Sequence, residues 1–150
     1  MREEVLRMIK LNNVVKQYEN FRLECSMEIP KGQVTGLIGR NGAGKSTAFK
    51  AILGLIRTDG GTIEVLGKDV SALTQADREQ IGVVLSDSGF SSYLTIKEYL
   101  PMLDAMYADF SKEKFTADCD RMGLPLKKKI KEFSTGMKRK LQILAALSHG

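Results

Sequence analysis

Apolar and polar positions change rhythm along this chain. MIKLNNVVKQY (8–18) and FRLECSMEI (21–29) are rich in β-branched and aromatic residues and predict two strands. A tight turn at Glu19-Asn20 joins them, and Pro30-Lys31-Gly32 closes the second. QVTGLIG (33–39) and IGVVLS (81–86) are short apolar runs without alternation, the pattern of strands buried on both faces. STAFKAILGLI (46–56) has helical spacing and ends in a Thr58-Asp59-Gly60-Gly61 turn, after which TIEVLG (62–67) alternates as a strand. From about Thr95 the period becomes helical in three blocks: TIKEYLPMLDAMYADF, SKEKFTADCDRMGL and STGMKRKLQILAALSHG. Pro101 lies inside the first, so that helix is expected to kink there or to begin later. The result is an α/β lobe over residues 1–87 followed by a helical segment over 88–150, with no internal repeat.

Composition changes this picture little. A chain of 150 residues, 43% apolar and 27% charged, is an ordinary globular domain with room for a core. No apolar run approaches the ~18 residues of a membrane span. Glu3 and Glu4 in MREEVLRMIK argue against a secretion signal. Cys25 and Cys119 lie far apart without metal-ligand spacing, and a reducing cytoplasm is the natural setting. Charge adds more. Residues 127–140 hold seven basic groups and one acid, so the remainder of this +5 chain sums to −1. Such a run is either a solvated face or a surface that meets an anion.

The candidate chemistry lies in GRNGAGKS, residues 39–46, which matches GxxxxGK[ST] and is followed by Thr47. Gly39, Gly42 and Gly44 let the backbone curl until successive N–H groups point at one anion. A helix starting near Gly44 adds the positive end of its dipole. Lys45 supplies a mobile charge for β- and γ-phosphates, and the Ser46 hydroxyl is a hard ligand for Mg²⁺. A strand before and a helix after, as predicted here, is the context this motif requires. No NKxD segment is present to read guanine.

FSTGMKRK (133–140) stands about ninety positions further on, directly before a helix of apolar period. Together with GRNGAGKST it resembles the signature of the ATP-binding cassette (ABC) ATPases along essentially the whole chain. The resemblance implies a P-loop NTPase core with N-terminal antiparallel strands, then a helical subdomain carrying the signature. It implies ATP and Mg²⁺ as cofactors, with Ser46 as the metal residue. Gly39, Asn41, Gly42, Ala43, Gly44, Lys45, Ser46 and Thr47 fall on the phosphate loop, and Tyr18 on the aromatic that stacks on adenine. Ser134, Thr135 and Gly136 fall on the signature, which in this family meets ATP across a head-to-tail dimer. Chemically, a serine hydroxyl and N–H groups at a helix start can receive a γ-phosphate. The plainer reading of Ser134 is an N-cap.

Three departures from the family pattern stand out. Thr135 and Met137 replace a Gly and a Gln of the usual signature, as in short ATPases that pair with exporter-type membrane proteins. Ser86, with Asp87 beside it, occupies the place of a Gln that touches Mg²⁺ and the attacking water. The family's next strand, with its Mg²⁺-orienting Asp and catalytic Glu, would follow Gly150, so no catalytic residue is assigned within these 150 and the chain by itself is expected not to hydrolyse ATP. His149 is expected to cap a helix end. The resemblance thus implies the ATPase subunit of an ABC transporter, an exporter by its signature. Its partners would be a second ATPase subunit and transmembrane permease subunits, on the cytoplasmic face of the membrane. The alternative is a soluble ABC-type ATPase acting on ribosomes or DNA. The basic run has almost no interleaved aromatics, so specific nucleic-acid binding is not expected.

Overall fold

A computed structural model describes residues 7–85 and 90–149. The chain packs as two units, Met1–Thr74 and Gln75–Gly150.

In the first unit, β1 (Arg7–Tyr18) and β2 (Phe21–Pro30) form the expected hairpin. With β3 (Gly60–Val65) and β4 (Lys68–Asp69) they make an antiparallel sheet of order β2-β1-β3-β4. One bulge organises its core. Leu11 pairs with Met27 and Val14 with Cys25, so β1 advances three residues while β2 advances two. The extra residue re-phases the strand, and both Leu11 and Val14 become buried despite their odd separation. Asn13 takes a positive φ of 45° at the bulge. Asparagine tolerates that region, and the Asn13 N–H donates to Ser26 Oγ at 2.9 Å. On β3, Gly61 lies against the same bulge, where a Cβ would run into the carbonyl oxygens of Asn12 and Asn13. Ile63 and Val65 complete the buried face, with Ala48, Ala51 and Ile52 of α1 (Lys45–Ile52).

α1 stops before the predicted Ile56. Gly54 adopts φ 68°, its N–H donates to the Ala51 carbonyl at 3.0 Å, and that of Leu55 donates to Lys50 at 2.9 Å. This paired arrangement is a glycine C-cap.

In the second unit, α3 (Ile96–Met106), α4 (Lys112–Arg121) and α5 (Thr135–Ala146) surround Ile96, Leu103, Phe115, Cys119, Leu124 and Leu141. The short α2 (Gln75–Glu79) precedes them. Contrary to one expectation, α3 does not start after its proline: it runs through Pro101 from a cap at Thr95. The Thr95 Oγ1 accepts the Glu98 N–H, and the Glu98 carboxylate accepts the Thr95 N–H at 2.7 Å. The Thr95 backbone N–H, and after it the Thr95 hydroxyl, donate to that carboxylate and hold it below its ordinary range.

Two predicted strands do not form. Residues 33–40 and 81–85 have no regular structure, and Val34 and Ile38 are 104% and 95% exposed. A strand is made by its neighbours' hydrogen bonds and by the layers on its faces. Among the described residues, no strand pairs with either segment.

Candidate nucleotide-binding site

The phosphate loop of the first unit begins at Gly39 and ends as the first turn of α1. It closes on itself through the Ala43 N–H, which donates to the Arg40 carbonyl at 3.0 Å. Gly42 and Gly44 have φ of 82° and 102°, a backbone shape glycine adopts without penalty. Gly44 has a second constraint: a Cβ there would stand 2.8 Å from Phe21 Cζ and 2.9 Å from Leu23 Cδ1. Glycine therefore lets the loop lie directly on β2.

Gly44 is also the N-cap of α1, and no side chain caps the helix. The first N–H groups of α1 thus keep their donors, beside the positive end of the helix dipole. The Lys45 side chain folds back over the loop, and its ammonium donates to the carbonyls of Gly39 and Arg40, the latter at 2.9 Å. An open hollow of about 530 Å³ lies over this turn, lined by Asn20, Phe21, Asn41, Gly42, Gly44, Lys45, Ser46 and Thr47. Uncapped N–H groups, an ammonium and hydroxyls on one concave surface make a receptor for a polyanion.

The structure brings most of the predicted loop residues to this hollow, together with two that sequence reasoning missed. Asn20 and Phe21 belong to the turn and first residue of the β2 side of the hairpin. Tyr18, the residue carried over for adenine, does not line the hollow. It is half exposed and stacks on Phe21, ring centroids 6.3 Å apart at 27°, with Lys16 Nζ 5.5 Å from its own ring. The signal for Phe21 was the hairpin itself, because a two-residue turn at Glu19-Asn20 pairs Phe21 directly with Tyr18.

Ser134, Thr135 and Gly136 lie in the second unit, all exposed. Ser134 is the N-cap of α5 and accepts the Met137 N–H at 3.2 Å, as the plainer reading expects. Ser86 and Asp87 lie outside the described residues. His149 does cap a helix end, though not that of its own helix: Nδ1 donates to the Glu79 carbonyl at the end of α2, 2.7 Å away. Its ring stacks on Tyr107 at 3.9 Å. Both cysteines are free thiols. Burial, with the nearby charges of Asp120 and Asp118, pushes Cys119 up to about 11.

The family model for ABC transporter matches residues 23–150. Over 146 residues the chain is 33% identical to the bacitracin transport ATP-binding protein BcrA of Enterococcus faecalis, covering 95% of this chain and 47% of that protein. It is 35% identical over 149 residues to the linearmycin resistance ATP-binding protein LnrL of Bacillus subtilis, covering 95% and 48%. Among solved structures, a bacterial Atm1-family ABC exporter with ATP bound superposes with a TM-score of 0.76 at 25% identity, over 96% of this chain and 28% of that one. The chain spans about half the length of the curated relatives it matches. A family match that spans residues 23–150 leads to one conclusion: this chain belongs to the ABC transporter family.

Proposed function

We propose that this chain binds Mg-ATP through the hollow over residues 39–47, as part of the ATPase subunit of an ABC exporter. The observation that carries this reading is the combination at α1: a helix start with no side-chain cap, a lysine ammonium folded over the loop, and a hollow large enough for a triphosphate. The triphosphate would exchange with the Gly39 and Arg40 carbonyls for the Lys45 ammonium, and it would take the free N–H groups of α1. Charge-assisted bonds of this kind are the strong ones. The donor set also fits Mg²⁺. Ser46 presents a hard hydroxyl oxygen on the hollow, and the ion would neutralise part of the phosphate charge. Phe21, with Tyr18 behind it, offers an aromatic edge for the base.

Ser134, Thr135 and Gly136 are proposed to complete a second copy's site across a head-to-tail dimer. Their exposure at the start of α5 supports that role. The whole protein would hydrolyse ATP and work with transmembrane permease subunits at the cytoplasmic face of the membrane. Export is supported by the ATP-bound ABC exporter that superposes on this chain and by the resistance function named for LnrL. Sedimentation of the whole protein in ATP under conditions that block hydrolysis tests the dimer. Ser134→Arg should leave nucleotide binding intact and keep the protein monomeric, and a variant that still dimerises would remove the trans role of Ser134.

A further inference from the structure

The basic run finds a structural setting in the second unit. Residues 91–97, which lead into α3, are laced to residues 126–131 by three backbone bonds: Lys97 N–H to the Leu126 carbonyl at 3.1 Å, Ile130 N–H to that of Leu94 at 3.0 Å, and Lys131 N–H to that of Ser92 at 2.8 Å. Beneath this double layer, Ile96, Leu124 and Ile130 are buried, so the layer is anchored. Its outer surface carries Tyr93, 72% exposed, with Lys131 Nζ 5.9 Å from the ring. Lys97, Lys127, Lys128 and Lys129 are exposed on the same pair of segments. Among the described residues, none of these five ammonium groups is in an ion pair. The two carboxylates within the layer accept backbone bonds, Glu98 from the Thr95 N–H and Glu132 from that of Lys129, and the charge of Lys129 also acts on Glu98.

We infer that this layer is a contact surface for the anionic headgroups of a phospholipid bilayer. Three features favour that partner. The two segments are pinned to each other by backbone hydrogen bonds, so their lysines are held close together without the backbone first being ordered. Its cations are all lysines. Lysine is a point charge on a flexible stem, suited to a diffuse anionic sheet, whereas recognition of one carboxylate or phosphate in fixed geometry favours arginine. The most exposed aromatic is a tyrosine, whose apolar body and polar tip suit the headgroup level. Base stacking by RNA is less well served, because a lysine ammonium already sits by the Tyr93 ring. The inference does not rest on the phosphate site, and it can be tested without nucleotide.

The experiment is co-sedimentation of the protein with vesicles of phosphatidylcholine, with and without phosphatidylglycerol. Binding is expected only to the anionic vesicles and should fall as salt is raised. The triple variant Lys127→Gln, Lys128→Gln, Lys131→Gln should bind about a hundredfold more weakly, since each lysine near such a surface contributes about fivefold. Tyr93→Ala should weaken binding with the charge unchanged. Both variants should keep the melting temperature and ATP binding of the parent, which shows that they are folded. Equal binding to neutral vesicles, or no binding to either, overturns the inference. So does tighter binding to single-stranded RNA than to anionic vesicles at physiological salt.

Discussion

The four longer helices among the described residues begin in two ways. α3, α4 and α5 start at Thr95, Ser111 and Ser134, and each cap accepts an N–H of its own first turn, from Glu98, Lys114 and Met137 at 3.2 Å. α1 starts at Gly44, which has no side chain to offer. The first three satisfy themselves; the fourth leaves its donors for something else. A capping serine or threonine typically stabilises a helix by ~1 kcal/mol. α1 forgoes that contribution and adds the strain-free turn that only glycine allows. The lesson is that a missing cap, set beside a lysine and a hollow, is a stronger mark of an anion site than any of its parts alone.

The largest effect should come from Lys45→Ala. It removes the charged donor that the loop carbonyls now hold, and Mg-ATP affinity should fall by at least about tenfold, from the ~1.5–3 kcal/mol of a charged hydrogen bond. Calorimetry that finds unchanged affinity would break the comparison, because α1 would then be merely uncapped.

Gly44→Ala tests the same helix start through geometry. A Cβ would meet Phe21 and Leu23 and would hold alanine at φ 102°, so stability should fall by about 1–3 kcal/mol in urea unfolding. Nucleotide binding should weaken as the turn shifts. An unchanged unfolding midpoint would mean that the loop does not need to lie on β2.

Ser134→Ala removes a cap where one exists. It should cost about 1 kcal/mol of stability while leaving ATP binding by the isolated chain within error. If instead it matched Lys45→Ala in binding, the contrast between self-capped and open helix starts would fail.

How much of this contrast could be read beforehand differs by region. GRNGAGKS names its own chemistry, because glycine spacing, lysine and serine sit within eight residues, and Ser134 could be read as a cap for the same local reason. Phe21 could be paired with Tyr18 from the hairpin turn, but neither it nor Asn20 could be placed at the hollow, which they approach from about twenty residues away. The bulge at Asn13 was equally hidden: LNNVV alternates poorly, and only pairing with β2 shows which residue is the extra one. The runs 33–39 and 81–86 read as strands because their composition suits one. β-structure is completed by partners, and no strand among the described residues supplies any. Gly54 shows a third kind of miss. Inside ILGLI it looks like a tolerated interruption of a helix, yet its positive φ ends it.

A smaller effect concerns Cys119. Its thiol is raised by burial to about 11 from an ordinary value near 9.0, so the folded state holds its proton more tightly than the unfolded one. The stability that the neutral, buried thiol contributes is therefore complete below about pH 9 and is lost as pH rises toward 11. Alkylation by iodoacetamide at pH 8 should be slow in the native protein and fast in urea. Rapid native labelling at Cys119 would show that the core of the second unit opens readily.

The central claim is that the open start of α1 binds through phosphate. Titration calorimetry with Mg-ATP, Mg-ADP and adenosine tests it most directly. Binding of both nucleotides and none of adenosine, with the nucleotide heat lost in Lys45→Ala, is the predicted result. Adenosine binding as tightly as Mg-ATP would contradict it, because the base rather than the phosphate loop would then hold the ligand.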